Sequence, residues 1–165
     1  MKNEEKTNVM RLLDAKKIPY IPHTYPPDAT LSGEEIAGLL QENPDHVFKT
    51  LVARGKTGQY YVFVIPVCRE LDLKKAARAS GEKAVSMIPQ KELLPLTGYV
   101  HGGCSPIGMK KAFPTFVHES AGSMDRFFVS AGKVGFQVEA DPRSLLSLIR
   151  FRFADLAADF PLKAL

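Results

Sequence analysis

Hydrophobic residues recur at two spacings along the chain, and the alternation between these spacings predicts interleaved helices and strands. Apolar residues three or four positions apart indicate amphipathic helices, whereas short runs rich in β-branched and aromatic residues indicate strands. Helices are expected from Thr7-Asn8 to before Ile18, over residues 32–41 and 72–79, from Pro89, and from Asp141-Pro142. Strands are expected over residues 20–25, 47–53, 60–67, 84–88, 113–118, 126–130 and 135–139.

Local signals support the limits of several elements. Ser32 and Glu35 have the spacing of a capping box, in which each side chain bonds the backbone N–H of the other residue. Residues 55–58 have the composition of a hairpin turn. Pro22 has no backbone donor, so its strand should lie at a sheet edge. The last helix should bury Leu145, Leu146 and Ile149.

The order of the elements predicts the fold class. Strands interleaved with helices indicate an α/β (α+β) domain with a mixed sheet. The 165 residues show no internal repeat or linker, so we expect a single domain over residues 1–165. No apolar run approaches the roughly 20 residues of a membrane span. Because residues 1–6 also lead into no apolar signal region, we expect a cytoplasmic protein that does not bind membranes.

Basic residues are concentrated in the middle of the chain. The formal net charge is +4, but residues 46–152 contain 16 Lys and Arg against 8 Asp and Glu, whereas residues 1–45 contain 5 against 8. Such a surface favours a polyanionic partner. A solvated basic face without a partner explains the charge equally well.

Metal and thiol chemistry receive little support from the sequence. Cys68 and Cys104 are the only cysteines, and the four histidines never occur in HxH or HxxxH spacing, so we expect neither a metal nor another cofactor. Cys104 could be a nucleophile, but no accompanying Cys–His–acid order supports that role. His101 is little better supported as a general base.

The first segment that folding alone does not readily explain surrounds Lys49. Because side chains alternate along a strand, Lys49 shares a face with Val47 and Leu51, opposite Phe48. The ammonium could simply extend into water. Alternatively, it is a fixed cation at the rim of a pocket, where it can hold a phosphate or a carbonyl oxygen.

Two further segments could present backbone N–H groups to a ligand. Residues 97–111 include four Gly within eleven positions, so the backbone can approach a ligand closely; a tight connection is the alternative. Ser130 ends a strand and is followed by Gly132 and Gly135, which places a hydroxyl and free amides at a sheet edge. An ordinary β-turn is the alternative there.

Four motifs in this order resemble one protein family. They are Phe48-Lys49-Thr50-Leu51-Val52, Glu70-Leu71-Asp72-Leu73-Lys74-Lys75, Thr97-Gly98-Tyr99 with Gly102-Gly103-Cys104-Ser105-Pro106-Ile107-Gly108, and Ser130-Ala131-Gly132-Lys133. They resemble those of the YbaK/EbsC proteins, bacterial Cys-tRNA(Pro) deacylases similar to the inserted editing domain of prolyl-tRNA synthetase. The resemblance extends from Thr7-Asn8 to residues 153–157. Each motif alone is weakly specific, whereas four at the right separations are strong evidence.

The resemblance implies a mixed, partly closed sheet flanked by helices, a surface pocket for the 3′ end of tRNA, and deacylation without a metal. It makes Lys49 the essential residue. It assigns substrate binding to Tyr20, Thr50, Gly102, Gly103, Ser105, Pro106, Ser130 and Gly132. Gln137 stands where some relatives have an aspartate, and His118 where an acidic residue is frequent. No carboxylate role therefore carries over to either position.

The activity implied is removal of wrongly attached cysteine from tRNA(Pro). The sequence contains no convincing protein nucleophile, and the family precedent suggests that the thiol of the substrate attacks its own carbonyl. The partners implied are mischarged tRNA, bound through its acceptor end, and prolyl-tRNA synthetase. Two alternatives remain open: deacylation of Ala-tRNA(Pro) by water, and a non-catalytic module that docks tRNA or a synthetase.

Overall fold

Two open β-sheets form the framework of the computed structural model, which describes residues 5–159. The strands are β1 (Ile21–Thr24), β2 (Phe48–Gly55), β3 (Tyr60–Pro66), β4 (Val85–Met87), β5 (Thr115–His118), β6 (Phe127–Ser130), β7 (Phe136–Ala140) and β8 (Phe151–Ala154). The smaller sheet has the antiparallel order β1-β7-β6, and the larger has the order β4-β2-β3-β5-β8. In the larger sheet β2 is antiparallel to β3 and β4, whereas β5 is parallel to β3 and β8. The expected mixed α/β domain is confirmed.

The expected partial closure of the sheet is wrong. Among the described residues, the strands of the two sheets are paired only through an isolated parallel bridge between Val47 and Phe128, just before β2. Closure would require the outer strands to pair. β1 pairs only with β7, and its Pro22 has no N–H to donate to a further strand.

The first three α-helices begin at the capping residues that the sequence indicates, whereas the helix expected from Pro89 becomes α-helical only at Leu93, after a 3₁₀ turn. They are α1 (Asn8–Ala15), α2 (Gly33–Leu39), α3 (Leu73–Ser80) and α4 (Leu93–Thr97), with 3₁₀ helices at Pro44–His46, Gln90–Glu92, Glu119–Ser123 and Pro142–Ser147. Glu35 N–H donates to Ser32 Oγ at 3.0 Å and Ser32 N–H to Glu35 Oε1 at 2.8 Å, which confirms the capping box. Asp72 Oδ1 accepts from the first amides of α3. No helix in the described part of the chain is long and apolar enough to cross a membrane.

The final helix differs from the prediction. Residues 142–147 form a 3₁₀ helix, in which Leu145 is buried but Leu146 is 51% exposed. A 3₁₀ helix has three residues per turn, so the residues that share a face are three apart. Leu145 and Leu148 consequently pack on the core, with Ile149 partly buried beside them. The expected burial of Leu146 is therefore wrong.

The apolar core lies on both faces of the central strands. Along β3, Val62 and Val64 enter the main cluster beneath α1, whereas Phe63 and Ile65 enter a second cluster against α3. Burial on both faces explains why this strand is a nearly continuous apolar run. A third, small cluster is formed by Ala37, Val47, Val67 and Phe128 at the junction of the two sheets. The first residues of β2 are therefore fixed by packing from both sheets.

A buried histidine connects β5 to the C-terminal segment. His118 is 5% exposed, and its Nδ1 accepts a hydrogen bond from the backbone N–H of Leu156 at 3.1 Å. Burial, followed by the positive charge of Arg69, lowers the pKa of His118 from its ordinary value of 6.5. The ring is therefore neutral in the folded protein near pH 7.

We expect the His118→Asn variant to lose less stability than the wild type when the pH is lowered from 7 to 5. The unfolded wild-type chain takes up a proton near pH 6.5 that the folded chain excludes, so the free energy of unfolding decreases as the pH falls from there toward the lower folded pKa. Chemical denaturation at several pH values measures this slope. Direct NMR titration of His118 checks the same pKa independently, and an undepressed value would contradict the explanation.

Candidate active site

A cavity of about 340 Å³ lies where β2 leaves the junction of the two sheets. Its walls come from the start of α2, the first residues of β2, the glycine-rich loop and the facing positions of β6 and β7. The lining residues are Leu31, Ser32, Gly33, Ile36, Val47, Phe48, Lys49, Thr50, Leu51, Val67, Leu93, His101, Gly102, Cys104, Ser130 and Gln137. We call this space the Lys49 cavity.

Lys49 supplies a positive charge that nothing in the cavity neutralises. Its side chain is half-buried, and it forms no hydrogen bond or ion pair with another residue between 5 and 159. No Asp or Glu is among the residues that line the cavity. An ammonium held in this way attracts an anion or a polarised carbonyl oxygen.

Two residues that line the cavity have a buried polar side-chain atom without a partner in the described chain. Thr50 Oγ1 and Gln137 Oε1 are buried, and neither has a hydrogen-bond partner within the described residues. Gln137 pairs with Ser130 in the register of β6 and β7, so the two lie side by side on one wall. Buried polar atoms are usually hydrogen-bonded, which makes these atoms candidates to contact a ligand.

Ser130 is held in place by the turn that follows it. The Gly132 N–H donates to Ser130 Oγ at 3.1 Å, and Ser130 is 8% exposed. Gly132 has φ +93°, a left-handed conformation that favours glycine. The turn therefore orients the serine hydroxyl, which retains its own proton to donate.

The glycine-rich loop forms the opposite wall and packs closely against this turn. Gly102 lines the cavity. A Cβ added at Gly103 would lie 3.0 Å from the backbone N of Val134 and 3.2 Å from the carbonyl carbon of Lys133. Glycine at 103 thus permits a backbone-to-backbone contact between the loop and the turn after Ser130.

The thiol in the cavity is unsuited to nucleophilic attack. Burial raises the pKa of Cys104 to about 12, so the group is a neutral thiol near pH 7. Within residues 5–159, neither Cys104 nor Ser130 hydrogen-bonds to a histidine or a carboxylate that could serve as its base. No cluster of three or more His, Cys, Asp or Glu in that range is arranged to hold a metal ion.

The structure brings together only some of the residues that the resemblance assigns to the site. Lys49, Thr50, Gly102 and Ser130 line the cavity, whereas Gly103 and Gly132 support its wall from outside the lining. The remaining three, Tyr20, Ser105 and Pro106, are not among the lining residues.

Each of those three has another environment. Tyr20 packs against the main core near Asp14, and burial raises its pKa. Ser105 is fully buried, and its Oγ accepts from Ile107 N–H at 3.2 Å. Pro106 lines a separate groove beside α1. None of the three borders the cavity, and their binding roles stay predictions.

Gln137 lines the site but was given no role from the sequence. The β6–β7 register pairs Gln137 with Ser130. Paired residues on neighbouring strands point to the same face of the sheet, so both side chains lie on one face. The register is not visible in the sequence. The sequence signal that could have identified Gln137 is an amide placed between the apolar residues Phe136 and Val138.

Comparison with known proteins identifies the family. The aminoacyl-tRNA editing domain family matches residues 26–148, a range that contains the whole Lys49 cavity. The chain is also 46% identical over 156 residues to EbsC of Enterococcus faecalis (strain ATCC 700802 / V583), a proposed Cys-tRNA(Pro)/Cys-tRNA(Cys) deacylase. The match covers 94% of this chain and 95% of EbsC. This chain belongs to the aminoacyl-tRNA editing domain family.

Solved structures support the fold of this editing domain. A proposed trans-editing enzyme for prolyl-tRNA synthetase aligns with a TM-score of 0.75 at 24% identity, covering 94% of this chain and all of the other. A hypothetical protein of solved structure aligns with a TM-score of 0.79 at 22% identity, covering 91% and 99% of the two chains. At these identities the likeness concerns the fold.

We expect Gly103→Ala to destabilise the editing domain by about 1–3 kcal/mol, because the added methyl group meets backbone atoms that cannot rotate away. Gly38→Ala is the matched control. Its Cβ would meet nothing within 4 Å, and in α2 alanine should leave stability unchanged or raise it by about 0.5–1 kcal/mol. Urea denaturation of both variants measures the difference. Equal stability of the two would contradict the close contact.

Proposed function

We propose that this editing domain removes cysteine from Cys-tRNA(Pro), one of the two substrates named for EbsC, and that the Lys49 cavity binds the acylated 3′-terminal adenosine. The observation that carries the proposal is the unneutralised Lys49 ammonium at a cavity without carboxylates. A phosphate and an ester carbonyl are both groups that such a cation stabilises. The family match supports an aminoacyl-tRNA as the source of both groups.

Lys49 fixes the terminal phosphate or the ester carbonyl in this proposal. The other side of the substrate meets Gln137 Oε1 and Thr50 Oγ1, which lack partners in the described chain. Both atoms can accept hydrogen bonds from the α-ammonium of the aminoacyl group or from a ribose hydroxyl. Ser130 and the amides near Gly102 then orient the acyl group. The cavity therefore combines these polar groups with apolar lining residues.

The thiol of the substrate is the nucleophile in the proposed reaction. Its sulfur forms a bond to the carbonyl carbon of the same cysteine, the ester C–O bond breaks, and the thiol proton passes to the departing ribose oxygen. The products are free tRNA and a cyclic thioester, which water then hydrolyses to cysteine. The neutral state of Cys104 and the lack of a base at Ser130 support a nucleophile supplied by the substrate. Holding the reacting groups in position can lower the barrier by roughly 7–11 kcal/mol.

This mechanism also explains how alanine and proline are rejected. A cavity that distinguished cysteine from alanine by fit alone would gain only about 1–3 kcal/mol. Alanine and proline have no thiol and therefore cannot complete the first step, whatever their affinity. Selection of tRNA(Pro) we assign to prolyl-tRNA synthetase, on the analogy of the trans-editing protein with the same fold.

We expect Lys49→Ala to lower kcat/KM for Cys-tRNA(Pro) by about 100-fold or more, the scale seen when one oxyanion-stabilising donor is removed. Deacylation of purified Cys-tRNA(Pro) measures the loss, with Ala-tRNA(Pro) assayed in parallel. Circular dichroism establishes that the variant is folded. Near-normal turnover by Lys49→Ala would defeat the proposal.

Two variants serve as controls for this experiment. Lys56→Ala removes the same charge from an exposed turn of the same hairpin and should retain activity. Cys104→Ala removes the cavity thiol and should retain most activity, because that thiol is protonated. Faster release of alanine than of cysteine by the wild type would favour water as the nucleophile over the substrate thiol.

A further inference from the structure

A second cavity, which no step of the proposed deacylation uses, opens beside the Lys49 cavity. Its volume is about 770 Å³, more than twice the 340 Å³ of its neighbour. We call it the Arg126 cleft, and its lining includes His46, Pro66, Arg69, Ser120, Asp125 and Arg126. Volumes of roughly 300–1,000 Å³ are typical of sites for small ligands.

A thin wall separates the two cavities. His46 lines the Arg126 cleft, whereas the next residue, Val47, lines the Lys49 cavity. Pro66 and Val67 are divided in the same way. The Val67 N–H donates to the Val47 carbonyl at 2.8 Å, which joins the two segments at the wall. Residues adjacent in sequence, with Cα atoms about 3.8 Å apart, therefore border different cavities.

Strand β6 sets the distance between the two sites. Arg126, just before the strand, lines the cleft, and Ser130, at its end, lines the Lys49 cavity. Four residues of extended chain span about 13 Å. Stacked nucleotides rise about 3.4 Å each, so a few nucleotides of single-stranded RNA cover this separation.

The cleft offers donors that suit a phosphate group. Arg126 Nε lies 3.7 Å from Glu139 Oε2, and its guanidinium makes no hydrogen bond to another residue in the described part of the chain. Arg69 donates through Nε and Nη2 to the Ala158 carbonyl at 3.3 and 2.7 Å, which holds its guanidinium in place. Ser120 Oγ is buried and lacks a partner among residues 5–159. Guanidinium and hydroxyl groups together form the usual contacts to phosphate oxygens.

Two carboxylates in the cleft restrict which anion fits. Asp45 and Asp125 are exposed and line the same space as the arginines, so they oppose the binding of a free inorganic anion. Carboxylates do accept hydrogen bonds from ribose hydroxyls, including the 2′-OH that distinguishes RNA. The mixture of cations and acceptors therefore matches a ribonucleotide better than phosphate alone.

We propose that the Arg126 cleft binds the single-stranded nucleotides that precede the terminal adenosine of the substrate tRNA. Arg126 and Arg69 contact a backbone phosphate, and Ser120 donates to it from the cleft floor. The inference rests on the proposed function, because it takes the Lys49 cavity as the site of the acylated adenosine. It adds a binding site that extends recognition from one nucleotide to the acceptor strand.

The test compares two substrates that differ in these nucleotides. Cys-tRNA(Pro) includes them, whereas the 3′-cysteinyl ester of adenosine lacks them. We expect Arg126→Gln to raise the KM for Cys-tRNA(Pro) roughly tenfold, as for loss of one charge-assisted hydrogen bond, with little change in kcat. The ratio of kcat/KM for tRNA to that for the ester should fall by the same factor. The salt dependence of tRNA binding should also become shallower by about 0.7 in log–log slope.

Arg78→Gln is the matched control, because it removes the same charge from an exposed position on α3. It should leave both the KM and the salt slope unchanged. An unchanged KM for Arg126→Gln, or an equal loss on both substrates, overturns the cleft proposal while leaving the deacylase function intact.

Binding measurements decide the cleft proposal even if the wild type deacylates neither substrate. The probe is then a short RNA ending in CCA, compared with adenosine. If Arg126→Gln binds the RNA more weakly than the wild type but binds adenosine equally well, the result supports the cleft proposal. Unchanged binding of the RNA overturns the proposal. Loss of a complex with prolyl-tRNA synthetase at unchanged RNA affinity would make the cleft a protein interface, which also overturns the proposal.

Discussion

The position of both cavities depends on the packing of Val47 against Phe128, where the two sheets meet. The residues are 1% and 2% exposed, and the Val47 carbonyl also accepts from Val67 N–H. This contact fixes the register of the residues that follow. Because side chains alternate, Phe48 enters the main core and Lys49 turns to the cavity. A slip of one residue would exchange them and bury an ammonium in the core, at a high energetic cost.

Two half-buried lysines differ in whether the folded chain provides partners for their ammonium groups. Lys75 bonds the carboxylate of Asp155 at 3.2 Å and the carbonyl of Ala157 at 2.8 Å, and so ties α3 to the C-terminal segment. Its charge is satisfied by folding alone. Lys49 has no such partner in the described chain, although it is half-buried. A partly desolvated cation without a counter-ion gains more from binding an anion than a solvated one, since less water must be displaced.

Local interactions made much of the fold predictable from the sequence. The cap at Ser32, the hairpin at residues 55–58 and the edge position of Pro22 each depend on a few neighbouring residues, and all are confirmed. The open sheets were not predicted, because closure depends on pairing between strands distant in sequence. Strand β8 was also missed: its four residues pair only with β5, and their alternation is too short to stand out.

The site was predictable where a residue's strand position determines its direction, as for Lys49. The surroundings of Tyr20 were not predictable, because a motif transfers a residue's identity and not its environment. Gln137 places a neutral amide beside Ser130 in the cavity. A carboxylate there would share the cavity with Lys49 and offset its charge. The neutral amide of Gln137 accepts hydrogen bonds without offsetting the charge of Lys49. The lysine charge therefore remains available to attract the substrate.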